Sequence, residues 1–216
     1  MNMTDPHPDA SRATRKFKTS ALICLLILPV LLLYAHTLDA PFILDDYANI
    51  LENRYIRVSE LSPRSLMDAG FNGPSEDRPV ANISFALNHF LHGYRPAGYH
   101  VVNVLVHLLA GVILYFFVLT TLRLPLTQWP FSAAGQSRLA AAVAFGTAML
   151  WLIHPLQIQS VTYIVQRMNS LATLFLCSAS CSMCTREGQS DGASACSFTA
   201  ASLFPGCSLW APKKLL

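Results

Sequence analysis

The chain has 216 residues, of which 53% are hydrophobic and 12% are charged, and its formal net charge is +3. Soluble domains contain about 25% charged residues, so this composition indicates an integral membrane protein. The small positive charge excludes an extended basic face, and we therefore expect no nucleic-acid partner.

A basic segment, residues 1–18, precedes the first apolar run. Its charged side chains near that run are Arg12, Arg15, Lys16 and Lys18. Residues 19–38 contain no charge, and about 20 residues are enough for a helix to cross a bilayer. Basic flanking segments remain in the cytoplasm. We therefore predict a cytoplasmic tail followed by a first transmembrane helix, retained because small residues are poorly placed for signal-peptide cleavage.

Residues 39–97 form a long polar loop that the first helix places outside the cytoplasm. This loop holds eight of the chain's twelve acidic residues: Asp39, Asp45, Asp46, Glu52, Glu60, Asp68, Glu76 and Asp77. Loops of this length usually have a function or contain helices of their own. The pattern predicts short helices at 50–56 and 82–91 on the membrane surface, joined by a flexible Gly- and Pro-rich segment at 71–79.

Two adjacent acids, Asp45 and Asp46, lie just after the first apolar run. Acids near a bilayer are costly unless they bind a cation, take up a proton or cap a helix. One interpretation is a catalytic pair. The alternative is an N-cap for a short helix that runs through Ile50. The residues by themselves favour neither interpretation.

Residues 98–122 form the predicted second transmembrane helix, and His100, Asn103 and His107 share one of its faces. Such a polar stripe faces protein or a water-filled cavity rather than lipid. Hydrogen bonds to other helices and contacts with a ligand both fit this pattern. A metal site is less favoured because no acid joins the three side chains.

The same reasoning divides the rest of the chain. The predicted segments are a cytoplasmic loop at 123–138, a third transmembrane helix at 139–153, an extracytoplasmic loop at 154–167, a fourth transmembrane helix at 168–185, and an atypical tail at 186–216. The third helix is rich in Ala and Gly, which suits close packing. Within the tail, a weak fifth span at 197–209 is an alternative. The tail is rich in Ser and Cys, and a shifted reading frame would explain this composition. The fold class is therefore a polytopic all-α membrane protein with four to five spans.

Arg167 ends the second extracytoplasmic loop, where the positive-inside rule disfavours it. A carboxylate or a phosphate would hold an arginine at such a position. Snorkelling towards lipid headgroups is the alternative.

Several motifs occur in a recognisable order. They are Phe42 to Ile50 with Asn53, Arg78-Pro79-Val80, Leu87-Asn88, Gly93, Gly98-Tyr99-His100, Asn103, His107, His154-Pro155-Leu156-Gln157, Ser160-Val161-Thr162-Tyr163, Gln166-Arg167 and Ser170-Leu171-Ala172. Together they resemble the N-terminal part of bacterial multi-spanning glycosyltransferases that bear tetratricopeptide repeats. Those proteins are related to the transmembrane and tetratricopeptide-repeat O-mannosyltransferases of the GT-C superfamily.

This resemblance implies an inverting enzyme that moves a hexosyl or mannosyl group from a polyprenyl-phosphate sugar to a protein or lipid hydroxyl. One of Asp45 and Asp46 would be the general base, and the other would position the acceptor or hold a divalent cation. Arg78 and Arg167 would neutralise the donor phosphate. The same pocket would include His154, Gln166 and His100.

The resemblance also has limits. Members of that family have more spans and a C-terminal repeat domain, so we expect a truncated chain that is inactive on its own. A non-catalytic membrane scaffold or assembly protein is the alternative function. A transporter is disfavoured because the sequence shows no inverted repeat. The expected location is a bacterial inner membrane, with membrane lipid as a partner.

Overall fold

The computed structural model describes residues 24–124 and 133–187 of the chain. The first described helix, α1, spans Cys24–Asp39 and finishes with the 3-10 turn Ala35–Asp39. The predicted cytoplasmic tail, the start of the first predicted span and nearly all of the atypical tail at 186–216 lie outside the described residues.

The polar loop after α1 is folded into short helical pieces. It contains the turns Tyr47–Leu51 and Arg54–Ile56 and the helices α2 (Pro63–Phe71) and α3 (Pro79–His92). The sequence pattern predicted helical segments near 50–56 and 82–91 but none at α2.

Local sequence signals explain where α2 and α3 begin and end. The Ser62 hydroxyl accepts the N–H of Ser65, and the Ser65 hydroxyl accepts the N–H of Ser62, which is a capping box. Pro63 occupies the first turn, where its missing N–H is harmless. Helix α3 ends at Gly93, whose φ of 59° suits glycine better than other residues. The Ser-Pro pair before α2 is a signal from which that helix could have been predicted.

The second half of the chain is dominated by long helices. They are α4 (Pro96–Thr121), α5 (Ala133–Ile153), the short α6 (Gln157–Thr162) with the 3-10 turn Ile164–Gln166, and α7 (Arg167–Glu187). Helix α4 is central, since it packs against α5, α7 and the last turn of α1.

Two helices are long and apolar enough to cross a membrane: Pro96–Thr121, with a mean hydropathy of 2.4, and Gly135–Ile153, with 1.3. They cover the predicted second and third spans and support association with a membrane. The described part of α1 is apolar but shorter. Helix α7 covers the predicted fourth span but is not among the two. The described residues are all-helical, as predicted, and the number of spans beyond two stays a prediction.

Most of the polar loops lie at one end of the long helices, and we call this end the loop end. There α1 and α5 stop, α4 and α7 start, and α2, α3 and α6 lie beside them. Two apolar cores follow from this arrangement. The first joins α1, α4 and α5, and its buried members are Leu26, Val30, Tyr34, Val104, Leu108, Tyr115, Leu119, Ala140, Ala144, Ala148, Leu152 and Val161. The second lies at the loop end and comprises Phe42, Ile50, Ile56, Ala69, Ala81, Phe85, Ala86, Tyr99, Tyr163, Ile164, Val165 and Met168.

The close approach of α4 and α5 depends on a glycine. A Cβ atom at Gly111 would lie 2.5 to 2.7 Å from the side chain of the buried Leu152, whereas one at Gly146 would meet nothing within 4 Å.

We expect Gly111→Ala to lower the free energy of unfolding by about 1–3 kcal/mol, because Leu152 must leave its packed position. Gly146→Ala is the matched control and should be neutral or slightly stabilising, because alanine favours helix. Equal unfolding midpoints for the two variants in detergent would contradict the packing described here.

Candidate functional site

The turn after α1 sends two adjacent acids in opposite directions. Leu44 has a φ of 46°, in the left-handed region that residues with side chains rarely adopt. Around it, the Asp46 N–H donates to the Ile43 carbonyl at 2.9 Å, and the Ile43 N–H donates to the Asp46 carboxylate at 3.0 Å. Asp45 is exposed and Asp46 is fully buried. The two predicted catalytic acids therefore lie in different environments.

Asp46 joins two loops that are distant in sequence. Its other carboxylate oxygen accepts the N–H of Val165 at 2.8 Å, just before α7. Burial raises the pKa of Asp46, while the N–H groups of Ile43 and Val165 and the charge of His100 oppose that rise. The side chain makes no cap hydrogen bond to the turn Tyr47–Leu51, so the helix-cap alternative does not describe this carboxylate.

Arg167 opens α7, and its side chain is fully buried. Its Nε donates to the side-chain oxygen of Asn103 at 2.7 Å, one terminal nitrogen donates to that of Asn88 at 2.6 Å, and the other donates to the Tyr99 carbonyl at 2.8 Å. The guanidinium carbon also lies 4.6 Å from the centre of the Phe85 ring. All three nitrogens have protein partners, so this guanidinium presents no exposed surface to a donor phosphate in the structure.

The polar stripe on α4 bonds to neighbouring segments. His100 Nε2 lies 3.0 Å from the Ala40 carbonyl oxygen, and His107 Nε2 lies 3.0 Å from the Leu152 carbonyl oxygen. The Asn103 amide donates to the backbone carbonyls of Val161 in α6 and of Tyr163 and Ile164 between α6 and α7. Of the two alternatives for this stripe, the geometry matches hydrogen bonding between segments.

The exposed Asp45 is linked through hydrogen bonds to Arg78. The Asp45 carbonyl accepts the side-chain amide of Asn49 at 2.9 Å, and the Asn49 amide oxygen accepts the Ser75 hydroxyl at 2.9 Å. The Ser75 carbonyl then accepts the N–H of Arg78 at 3.2 Å. The Arg78 side chain is 43% exposed, and its Nε lies 3.6 Å from a carboxylate oxygen of the exposed Asp77.

A second series of hydrogen bonds closes the circle back to Asp45. Arg78 donates to the side-chain oxygen of Asn169 at 2.8 Å, and the Asn169 amide donates to the side-chain oxygen of Gln166. The Gln166 N–H donates to the Tyr163 carbonyl at 3.1 Å. Finally, the Asp45 N–H donates to the Tyr163 hydroxyl at 2.8 Å.

We call this closed circle the rim, and its members are Asp45, Asn49, Ser75, Arg78, Tyr163, Gln166 and Asn169. It combines an exposed carboxylate, which can accept a proton, with an exposed guanidinium, which can neutralise an anion. The sequence pattern predicted no role for Asn49, Ser75, Tyr163 or Asn169. Polar loop residues of this kind have no diagnostic spacing, and only the folded chain brings them together.

Two further predictions about the site concern His154 and a metal ion. His154 sits in an exposed turn after α5, where its Nδ1 accepts the N–H of Leu156 at 3.3 Å. Across residues 24–124 and 133–187, no three His, Cys, Asp or Glu side chains converge in a way that could hold a metal ion. A divalent cation at Asp45 or Asp46 stays a prediction.

The chain is similar to curated proteins that are named protein O-mannosyl-transferases. Human TMTC4 is 26% identical over 176 residues, which is 76% of this chain and 23% of the relative. Tmtc1 of Drosophila melanogaster is 32% identical over 144 residues, covering 62% of this chain and 15% of the relative. TMTC3 of Mus musculus is 28% identical over 175 residues, covering 77% and 17%.

These similarities are weak and partial. The chain spans less than a quarter of the length of each of these relatives. No protein family model matches the chain, and no solved structure matches it significantly. The names of the relatives support a glycosyltransferase function, while membership of the GT-C superfamily and a bacterial origin stay predictions.

Because Arg167 is buried, we expect even its replacement by lysine to reduce the stability of the protein strongly. Lysine keeps the charge but cannot reach the Asn103, Asn88 and Tyr99 oxygens together. We expect Arg167→Lys to lower the free energy of unfolding by about 2–3 kcal/mol, since each charged hydrogen bond contributes about 1.5–3 kcal/mol. The exposed Arg64 on α2 provides the control, and Arg64→Lys should change stability by less than about 0.5 kcal/mol. Thermal unfolding in detergent measures both, and similar midpoints would contradict the network.

Proposed function

We propose that this chain is the N-terminal, acceptor-activating part of a membrane glycosyltransferase. It would transfer a hexosyl group, mannosyl in the first instance, from a polyprenyl-phosphate sugar to a protein or lipid hydroxyl. The observation that supports this most directly is the rim, on which Asp45 and Arg78 are exposed together. The names of the relatives support the transfer of a mannosyl group to a protein.

In the proposed reaction, Asp45 is the general base. The acceptor hydroxyl gives its proton to the Asp45 carboxylate while its oxygen forms a bond to the anomeric carbon. The bond between that carbon and the phosphate oxygen breaks, and the polyprenyl phosphate leaves with the electron pair. Attack from the opposite face inverts the anomeric configuration. Arg78 stabilises the charge that grows on the leaving phosphate.

The buried polar residues have a supporting role in this proposal. Asp46 and Arg167 hold the loops that present Asp45, and His100 joins α4 to the chain just after α1. Gln166 is on the rim and can contact the donor or acceptor. His154 is left out of the proposed site because it lies in an exposed turn and has no hydrogen bond to the rim among the described residues.

An apolar groove provides a place for the lipid part of the donor. A groove of about 280 Å³ lies between α1 and α4 and is lined by Leu31, Tyr34, Ala35, Leu38, Val101, Val104 and Leu105. Leu38 is close to the loop end, so a polyprenyl chain in this groove would direct its phosphate towards the loop end. Apolar chains gain about 0.8 kcal/mol for each buried CH₂ group, which favours binding in such a groove.

The wider setting follows from the sequence resemblance. We place the N-terminus in the cytoplasm and the loop end outside it, in a bacterial inner membrane, with four spans contributed by this chain. The fold would be of the GT-C type, in proteins that also have tetratricopeptide repeats.

The test measures mannose transfer from a polyprenyl-phosphate mannose to a hydroxyl-bearing peptide, with the chain in proteoliposomes. We expect Asp45→Asn to reduce kcat by about 10²–10⁴-fold, since a general base contributes that much. Arg78→Ala should weaken donor binding by about tenfold or more, because it removes a charged contact to the phosphate. Glu52→Gln changes another exposed acid in the same loop and should leave both quantities unchanged.

Donor binding is measured separately, because it requires no turnover. If the chain binds the donor but transfers nothing, the part of the relatives that this chain does not span is needed for the reaction. If it does neither, the non-catalytic scaffold becomes the better account. If Asp45→Asn transfers as fast as the unchanged chain, Asp45 is not the general base.

A further inference from the structure

We propose that Tyr163 is a positioning residue that fixes the Asp45 carboxylate for proton transfer. This inference rests on the proposed function, because Asp45 is the base of that reaction. The observation that supports the inference is a hydrogen bond of 2.8 Å, in which the Asp45 N–H donates to the Tyr163 hydroxyl. The two residues are 118 positions apart in sequence, so the contact belongs to the fold rather than to local structure.

The Tyr163 side chain is held rigidly. Only 8% of the residue is exposed, and it belongs to the apolar core at the loop end. Its N–H donates to the Gln159 carbonyl at 3.2 Å, and its own carbonyl accepts the Asn103 amide at 3.4 Å. Asn103 in turn accepts a hydrogen bond from Arg167. The phenol therefore connects the buried network to the exposed acid.

The chemistry of the phenol suits this role. Its oxygen accepts the Asp45 N–H, and its O–H then remains to donate to a carboxylate oxygen of the same residue. Burial raises the pKa of Tyr163, the hydrogen bond from the Asp45 N–H opposes that rise, and hydrogen bonding to the Asp45 side chain and the charges of Asp45 and Asp46 add to it. The phenol therefore stays protonated at neutral pH and acts as a donor. A carboxylate with one oxygen held in this way presents its other oxygen to the acceptor hydroxyl.

Leu44 explains why such a constraint is needed. The left-handed residue just before Asp45 lies in an exposed turn, and its own side chain is 76% exposed. Exposed side chains without a partner sample several rotamers, whereas a general base must stay within hydrogen-bond reach of the proton that it takes. Tyr163 is the buried residue that holds the backbone of Asp45 in this turn.

The first measurement compares Tyr163→Phe with the unchanged chain in the transfer assay. The ring remains, so the apolar core is kept, and only the hydroxyl is lost. We expect kcat to fall by about 10–100-fold, since misplacing a catalytic group by about 1 Å costs up to about 10²-fold. The KM for the sugar donor should not change. Tyr55→Phe removes the hydroxyl of a half-exposed tyrosine in the same loop and should leave both parameters unchanged.

The second measurement does not depend on turnover. The ionisation of Tyr163 is followed by NMR of ¹³Cζ-labelled tyrosine, with the resonance assigned from Tyr163→Phe. Replacement of the carboxylate in Asp45→Asn should lower the pKa of Tyr163, because a negative acceptor next to the phenol is removed. Glu52→Gln is the control and should not move this pKa.

The outcomes separate the two proposals. A lower Tyr163 pKa in Asp45→Asn, together with a lower kcat in Tyr163→Phe, supports the positioning role. An unchanged pKa in Asp45→Asn overturns it, and so does an unchanged kcat in a Tyr163→Phe chain that transfers sugar. If the unchanged chain neither binds the donor nor transfers sugar, the proposed function fails, and the NMR titration alone decides whether Tyr163 binds the Asp45 carboxylate. Should Tyr163→Phe fail to fold, the titration of Asp45→Asn still decides it, with the tyrosine resonance assigned by other means.

Discussion

The buried guanidinium of Arg167 is the interaction on which the loop end depends. A charge taken out of water is costly unless hydrogen bonds and nearby groups compensate for it. Here all three nitrogens donate to oxygens from α3 and α4, and the Phe85 ring covers one face. Arg167 thereby holds α3, α4 and α7 in one arrangement. At this end the three helices also share an apolar core, to which Phe85, Tyr99 and Met168 belong.

The rim follows from that arrangement. Asn103, which accepts a hydrogen bond from Arg167, donates to the carbonyls of Tyr163 and Ile164 in the segment between α6 and α7. The same segment binds Asp46 through Val165 and Asp45 through Tyr163. The buried network and the rim are therefore parts of one structure, in which Asp46 is buried and the adjacent Asp45 is exposed.

Several features of the fold could be predicted from the composition and the sequence pattern, but key features of the candidate site could not. The all-helical class, the apolar helix at Pro96–Thr121 and the shared face of the α4 stripe follow from long uncharged runs and helical spacing. The different environments of Asp45 and Asp46 do not, because their partners Val165 and Tyr163 lie 119 and 118 positions away in the sequence. The burial of Arg167 was also beyond reach, since its partners come from residues 64 to 83 positions away. A polar side chain at the end of a loop gives the same sequence pattern whether it binds a ligand or another part of the protein.

The central claim is that one acid of the pair is exposed and the other is buried, and carboxyl labelling tests it most directly. The folded chain is treated with a carbodiimide and glycine ethyl ester, and fragmentation of the peptide between residues 45 and 46 assigns the label. We expect Asp45 to be modified readily and Asp46 to stay unmodified until the protein is denatured. Equal labelling of both acids in the folded chain, or faster labelling of Asp46, would contradict the structure described here and the assignment of Asp45 as the general base.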